Sequence, residues 1–374
     1  MTIPPPVEIG LPLEDVDTPA LIIELDPFER NLQRIANEVT GSGINLRPHV
    51  KTHKSADIAR RQVDLGAVGV CCQNVSEAEA MVDGGVTDVF VSNEIVDRRK
   101  VVRLASLARR ARIGVCVDTL DAIATLGDVA QELGVELRVV VEINVGTDRC
   151  GVEPGEPALP LARAITEAPG LHFGGLQAYH GPVQHVREFD RRRKLIQGSA
   201  AKVRRTLEVL ERYGLIAETV TGAGTASYRF EMESGVFTEL QVGTYVFMDT
   251  DYTDNQAEDG GPFEDFEQSL FVYTQVVSRP TPQRVLTDAS NRAVSLDSGL
   301  PLVRGTPGLE YEKASDGHGR LILHDTNLDA QVGDRFFLIP AHCNTTANLY
   351  DHYLGIRDGR VETVWPMSSR GPGN

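Results

Sequence analysis

The stretch "LRVVVEIN", residues 137–144, decides the reading of the fold. It is short, β-branched and apolar at consecutive positions, and it ends abruptly in polar residues. A strand with one wet face alternates apolar with polar, whereas a continuous apolar run is a strand covered on both faces. Similar runs recur on either side: "INLRPHV" (44–50), "AVGVCCQ" (67–73), "DVFVSN" (88–93), "RIGVCVD" (112–118), "LHFGGLQAYH" (171–180), "AETVTGAG" (217–224) and "ELQVGTYVFMD" (239–249). Segments of helical period separate them, such as "RKVVRLASLARRA" (99–111) and "REFDRRRKLIQGSAAKVRRTLEVLERYG" (187–214). In "SEAEAMVDGG" (76–85), Ser76 and Glu79 stand at capping-box spacing, which predicts a helix capped by Ser76. Eight strand–helix units within about 200 residues predict an α/β fold, a (β/α)8 TIM barrel rather than an open doubly wound sheet.

Beyond residue 250 the rhythm changes. "DNQAEDGGPFED" (254–265) is acidic and Gly-rich and reads as a linker or lid. Short strand-like runs follow, "FVYTQVVS", "RAVSLDSG", "RLILHD", "DRFFLIP" and "HYLGIRDGRVETVWP", with turn signals such as Asp358-Gly359 and no convincing helix between them. The expected organisation is a barrel over residues 26–253 and an all-β domain over 254–374, with residues 1–25 grouped with the latter. The run "ALIIELD" (20–26) precedes the eight units and is open to either assignment.

At 374 residues and 41% hydrophobic, the chain can bury the cores of two domains. A formal net charge of −16 argues against a nucleic-acid or anionic-membrane partner and leaves small-molecule ligands, which answer to local charge. Five cysteines (Cys71, Cys72, Cys116, Cys150, Cys343) form no CxxC pair, no leader pattern opens the chain, and no apolar run approaches the roughly 20 residues of a membrane helix. The expected compartment is the reducing cytoplasm.

In a barrel of this kind, chemistry sits where strands end. Lys51, Gln73, Asn93, Asp118, Arg149, Tyr179 and His180 all fall there. In "LRPHVKTHK" (46–54), Lys51 is surrounded by His49, His53 and Lys54, and cationic neighbours raise the neutral-amine fraction that Schiff-base chemistry needs. The bland alternative is a solvated strand end. In "TGAGT" (221–225), Gly222 and Gly224 permit close backbone approach to a phosphate, with Thr221 and Thr225 as hydroxyl donors, although many Gly-rich turns bind nothing. An amine on one strand and a phosphate cradle on another suggest pyridoxal 5'-phosphate, with Arg149 or Tyr179 facing the pyridine nitrogen. An arginine there would leave that nitrogen unprotonated; both residues could equally serve the scaffold. A third cluster is "IPAHCNTTANLYDHY" (339–353). On a strand, His342 and Asn344 share one face and Cys343 the other, with Asp351 and His352 nearby. An imidazole plus one amide oxygen makes a poor metal site by itself.

The segments "DTPALIIELDPFERNL", "LRPHVKTHK", "RCGVEPG", "GLQAYHGPVQH", "TGAGT", "ELQVGTYVFMD" and "PAHCNTTANLYD" together resemble the D-threonine aldolase and D-serine dehydratase-like group of fold-type III pyridoxal phosphate enzymes. The resemblance covers nearly the whole chain. It implies an alanine-racemase-like barrel, a C-terminal β domain and a homodimer with active sites at the subunit interface. By motif, Lys51 resembles the lysine that carries the cofactor, and Arg149 and Tyr179 resemble contacts to its ring. Gln73 lies at the same mouth; Gly222, Gly224 and Thr225, with backbone near Tyr245, resemble the phosphate cup. His185 resembles the base that takes the β-hydroxyl proton, and His342 the first ligand of a divalent metal, Mg2+ or Mn2+. One departure stands out. The second metal ligand of this group is usually Asp in aldolases and Cys in dehydratases, and here it is Asn344. The implied reaction is cleavage of the Cα–Cβ bond of a D-3-hydroxy amino acid to glycine and an aldehyde, glyoxylate if the substrate is 3-hydroxyaspartate. Elimination from D-serine or 3-hydroxyaspartate, racemisation, and non-catalytic carriage of the cofactor are the alternatives; the β domain with His342 and Trp365 argues against the last.

Overall fold

The computed structural model describes residues 7–324 and 328–372. Its first strand, β1 (Ala20–Glu24), does not join the eight that follow, and helix α1 (Leu25–Val39) is grouped with β1 as far as Arg34. One compact unit contains Ile35–Gly243 and Asn255–Gly261; the other contains the chain up to Arg34, Thr244–Asp254 and Pro262–Gly371.

The eight expected strands all form. They are β2 (Asn45–Leu46), β3 (Val70–Cys72), β4 (Asp88–Glu94), β5 (Arg112–Val117), β6 (Leu137–Glu142), β7 (Leu171–Ala178), β8 (Thr219–Gly222) and β9 (Glu239–Leu240). They run parallel in the order β2-β9-β8-β7-β6-β5-β4-β3. The ring closes between its end strands, where Val68 N donates to Leu46 O at 2.9 Å and Cys71 N to Pro48 O at 2.8 Å. Alternation then sorts each strand's side chains. Val139 and Val141 of β6 pack into the large cluster shared with the helices. Val140 joins Cys71, Phe90 and Cys116 in a small separate apolar layer. The last strand is shorter than "ELQVGTYVFMD" suggested, because the chain leaves the barrel after Gly243.

Between the strands run α2 (Ala56–Asp64), α3 (Val75–Asp83), α4 (Arg98–Leu107), α5 (Leu120–Leu133), α6 (Ala158–Glu167), α7 (Phe189–Arg212) and α8 (Tyr228–Ser234). Helix α5 is bounded by a Thr119 side chain accepting from Ala122 N and by Gly134 at φ +64°. Helix α3 corrects the expected cap. Asn74 Oδ1 accepts from Glu77 N at 2.9 Å, and Glu77 Oε2 accepts from Gln73 N at 2.6 Å. The cap is Asn74, two residues earlier than expected, with Glu77 at capping-box spacing but reaching back to the residue before the cap; Glu79 is instead bound by Arg103 of α4. The segment read as a linker or lid is partly fixed to the barrel. Asn255 is fully buried and donates to Gln184 O at 2.9 Å, and Gln256 N donates to Arg187 O at 2.8 Å.

The second unit is built on a sheet ordered β13-β14-β11-β10-β1-β16-β17, with β15 bridging β10 and β12. These strands are β10 (Leu270–Thr281), β11 (Arg284–Thr287), β12 (Leu302–Val303), β13 (Leu309–Ala314), β14 (Gly319–Leu323), β15 (Arg335–Ile339), β16 (His352–Arg357) and β17 (Arg360–Pro366). Strand β1 lies between β10 and β16, antiparallel to the first and parallel to the second. An aromatic group of Phe28, Phe247, Tyr353 and Trp365, with ring centroids 5.4–6.3 Å apart, holds residues 244–254 to this unit. Short helices α9 (Thr250–Thr253) and α10 (Cys343–Ala347) interrupt the sheet. "RAVSLDSG" is not a strand. Its backbone closes locally, with Val294 N donating to Ser290 O at 3.1 Å, and Ser295 N is bound by Thr346 Oγ1.

Candidate functional site

At the C-terminal end of the barrel strands, Lys51 lies on a single 3-10 turn, Val50–Thr52, directly after β2. His49 shapes that turn, its Nδ1 accepting from Lys51 N at 3.3 Å. The amine of Lys51 stands 5.6 Å from the centroid of the Tyr179 ring, within cation–π range. Tyr179 is fixed through its backbone: its carbonyl accepts from Thr147 Oγ1 at 2.6 Å, and that hydroxyl accepts from Gly181 N. The charge around Lys51 is less than its neighbours' names suggest. Burial, helped by nearby cations, holds His49 well below its usual pKa, and burial brings His53 down to about 3, so both are neutral. Lys54, at φ +53°, turns its amine back onto Lys51 O at 2.5 Å, and burial lowers it to about 8 against the pull of Glu77.

Strand alternation brings further groups to the same mouth. Arg149 is exposed, with Nη2 3.6 Å from Glu142 Oε1. Glu142, at the end of β6, is pushed up to about 7 by burial first and then by the nearby Glu94 carboxylate, with Arg149 opposing. Donor atoms of Glu94, Cys116 and Glu142 lie within 4.8 Å of one another, as do those of Glu94, Asp118 and Cys150. Asp118 is occupied by Gly151 N at 3.1 Å, and Gln73 and Asn93 are tied together by Asn93 Nδ2 donating to Gln73 O at 3.1 Å. His180 is buried and lowered by that burial.

The "TGAGT" loop leaves β8 with Ala223 in the left-handed region, φ +73°, flanked by glycines that are not. A backbone that changes hand at the end of a strand can aim successive amides at one anion, which fits a phosphate. The glycines also meet a packing demand: a Cβ on Gly222 would lie 2.4 Å from Ala178 O, and one on Gly224 2.3 Å from Gln184 Cδ. Thr221 faces into the barrel, donating to Glu239 Oε1 and accepting from Gln241 Nε2, both at 2.8 Å, so its hydroxyl is engaged. Thr225, the last residue of the loop, is buried. His185 ends a 3-10 turn, Gly181–His185, and is exposed. Tyr245 belongs to the second unit, its ring 5.5 Å from that of Phe266.

In the second unit, His342 and Asn344 do not share a strand face. His342 is the N-cap of α10, with extended backbone (φ −144°, ψ 112°), and Asn344 lies in the first turn. The acid beside His342 is Asp297, whose Oδ2 is 2.7 Å from Nδ1; Asp351 pairs with Arg370 instead. Burial would raise Asp297, but hydrogen bonds from His342, Ser295 and Thr345 hold it below its usual range. A carboxylate on one imidazole nitrogen orients the other as a metal ligand, so these residues fit a divalent ion. Below the helix start, Asp249 is fully buried, accepts from Cys343 N and Tyr252 N at 3.1 Å, and is raised to about 6 by burial. Sequence reasoning missed Asp297, which precedes His342 by 45 positions with no spacing signal, and Glu142, which strand alternation could have placed.

A cavity of about 550 Å3 opens at the opposite end of the barrel, lined by Arg47, Asp88, Arg138 and Glu239. Its charges are largely paired, Arg47 meeting Asp88 at 2.7 Å and Glu239 at 2.9 Å, and His172 meeting Glu218 at 3.1 Å.

Residues 23–251 match the alanine racemase N-terminal domain, and residues 269–356 a putative serine dehydratase domain. The chain is 43% identical to a 3-hydroxy-D-aspartate aldolase of Paracoccus denitrificans, over 97% of this chain and 95% of that protein. It is 41% identical to a D-threonine aldolase of Arthrobacter, over 99% and 97%. The crystal structure of D-threonine aldolase from Filomicrobium marinum superposes with a TM-score of 0.95 at 46% identity, covering 99% of each chain.

Proposed function

This chain belongs to the alanine racemase N-terminal domain family, and on that premise we propose that it is a pyridoxal-phosphate-dependent carbon–carbon lyase. It cleaves the Cα–Cβ bond of D-3-hydroxy amino acids, 3-hydroxy-D-aspartate to glycine and glyoxylate or D-threonine-like substrates to glycine and an aldehyde. The observation that carries the reading is the amine of Lys51 at the barrel mouth, 5.6 Å from the Tyr179 ring. Full-length relatives named for aldol cleavage support the reaction type.

When bound, pyridoxal phosphate supplies an electron sink for the pair left on Cα as the bond breaks. Lys51 is the residue that would hold it covalently, Arg149 and Tyr179 would face its ring, with Gln73 at the same mouth, and the curled backbone of Gly222–Thr225 would take its phosphate. Arg149 brings a permanent positive charge, partly balanced by Glu142 at 3.6 Å. His185, exposed at the end of its turn, would take the proton from the substrate's β-hydroxyl as general base. His342, backed by Asp297, and Asn344 would hold a Mg2+ or Mn2+ ion, whose contribution would be Lewis-acid polarisation of an oxygen. Among the described residues no helix is long and apolar enough to cross a membrane. The working form we propose is a cytoplasmic homodimer.

The test is incubation with D-3-hydroxyaspartate, D-threonine and D-serine, with glycine and 2-oxo acid assayed separately. Glycine from the first two supports the proposal. Oxaloacetate with ammonia from 3-hydroxyaspartate, or pyruvate with ammonia from D-serine, as main product would make the protein a dehydratase, and no turnover of any substrate would leave a carrier.

A further inference from the structure

We propose that Gln184 is a positioning residue that locks the phosphate-cradling loop to the turn carrying His185, so that cradle and general base are held as one piece. This rests on the cofactor reading above. Gln184 is 1% exposed and sits immediately before His185. Its side chain crosses to the loop after β8: Oε1 accepts from Ala226 N at 3.0 Å, and Nε2 donates to Ser227 Oγ at 2.7 Å. Its backbone carbonyl accepts from Asn255 Nδ2 at 2.9 Å.

The polarity of this clasp follows from its donors. A backbone N–H can only donate, so Ala226 fixes Oε1 on its side of the amide and leaves Nε2 facing Ser227. Ser227 therefore accepts from Gln184 and passes its own hydrogen to Glu231 Oε1 at 2.9 Å. One directed chain runs from Ala226 through Gln184 and Ser227 to Glu231, a carboxyl that is itself 2% exposed. The loop lies flush on the amide, since a Cβ on Gly224 would meet Gln184 Cδ at 2.3 Å. Gly224 is thus required by Gln184 as much as by any anion. Loop residues 223–227 and the turn 181–185 cannot shift independently while this clasp holds, which is the preorganisation a site needs to hold an anchored ligand against a base.

The experiment uses the full-length protein with Gln184→Met, which keeps the length and removes both bonds, and Ser227→Ala, which removes the central hydroxyl. Dissociation constants for pyridoxal phosphate and for pyridoxal, which lacks the phosphate, are measured by spectroscopic titration after the cofactor is stripped. Initial rates are measured on the reloaded enzyme. Both variants should weaken pyridoxal phosphate about tenfold or more, as loss of one or two buried hydrogen bonds implies, while pyridoxal changes by less than about threefold. At saturating cofactor, kcat should fall with KM nearly constant. An unchanged ratio of the two affinities overturns the proposal, whatever happens to the rate. If Gln184→Met fails to fold, Ser227→Ala alone decides the matter by the same ratio. Failure of the underlying cofactor reading has a different signature: the unsubstituted protein would then bind neither compound.

Discussion

Replacing Asn344 by Asp restores the charge that the aldolase resemblance leads one to expect beside His342. The ion would gain one formal charge at a half-buried position. At an effective dielectric near 20, a unit pair at 4 Å is worth about 4 kcal/mol before desolvation. The surroundings reduce that gain. Asp297 already holds His342 at 2.7 Å and Asp249 lies under Cys343 N, so a third carboxylate repels two others until the metal arrives. Location in the first turn of α10 works the other way, since a helix start favours a carboxylate by about 0.3–1 kcal/mol. We expect a net tightening of Mn2+ and Mg2+ of at least about tenfold, roughly 1.4 kcal/mol. Calorimetric titration of both full-length proteins measures it, with thermal unfolding in EDTA as the control for folding. The unsubstituted protein should bind the ion weakly and exchangeably, lose activity to EDTA and regain it with added metal. Its maximal rate need not be exceeded by the variant, because affinity and contact with the substrate oxygen are separate properties. Equal affinities in the two proteins, or activity indifferent to exhaustive chelation, would refute the assignment of His342 and Asn344 to a metal.

Three further outcomes follow from the geometry. Borohydride reduction of the enzyme followed by peptide mass analysis should find the cofactor on Lys51 and not on Lys54, whose amine is occupied by Lys51 O at 2.5 Å; Lys51→Ala should abolish both visible absorbance and turnover. His185→Gln should keep the absorbance and lower the aldol-cleavage rate by about 10²- to 10⁴-fold, the usual worth of a general base, and near-parent turnover would remove His185 from the mechanism. Burial raises the Glu231 carboxyl from 4.5 to about 8. Its folded value lies above its unfolded value, so its stabilisation is complete below pH 4.5 and declines as pH rises to about 8, by up to about 1.4 kcal/mol per pH unit. Glu231→Gln should therefore gain stability relative to the parent between pH 5 and 8 in urea unfolding; a pH-independent difference would mean that the carboxyl is ionised in the fold.

The barrel is legible because a strand buried on both faces writes itself as an uninterrupted apolar run, and all eight such runs form strands. What alternation does not supply is the conformation of residues outside those runs. "PAHCNTT" carries no period that distinguishes a strand end from a helix start, so a strand reading gives His342 and Asn344 a shared face that the N-cap geometry removes. The cap of α3 falls at Asn74 because Asn74 and Glu77 offer the same spacing as Ser76 and Glu79, and Arg103 claims the second pair. The histidines beside Lys51 look cationic in sequence, and only burial reveals them as neutral. Gln184 gives no signal at all, since its partners stand 42 and 43 positions away.

The most direct test of the account is the stoichiometry of products from 3-hydroxy-D-aspartate, with ammonia followed in the same reaction. Carbon–carbon cleavage through Lys51 predicts glycine and glyoxylate in equal amounts, no ammonia, and no products from Lys51→Ala. Ammonia released together with a 2-oxo acid, or cleavage that persists without Lys51, would contradict it.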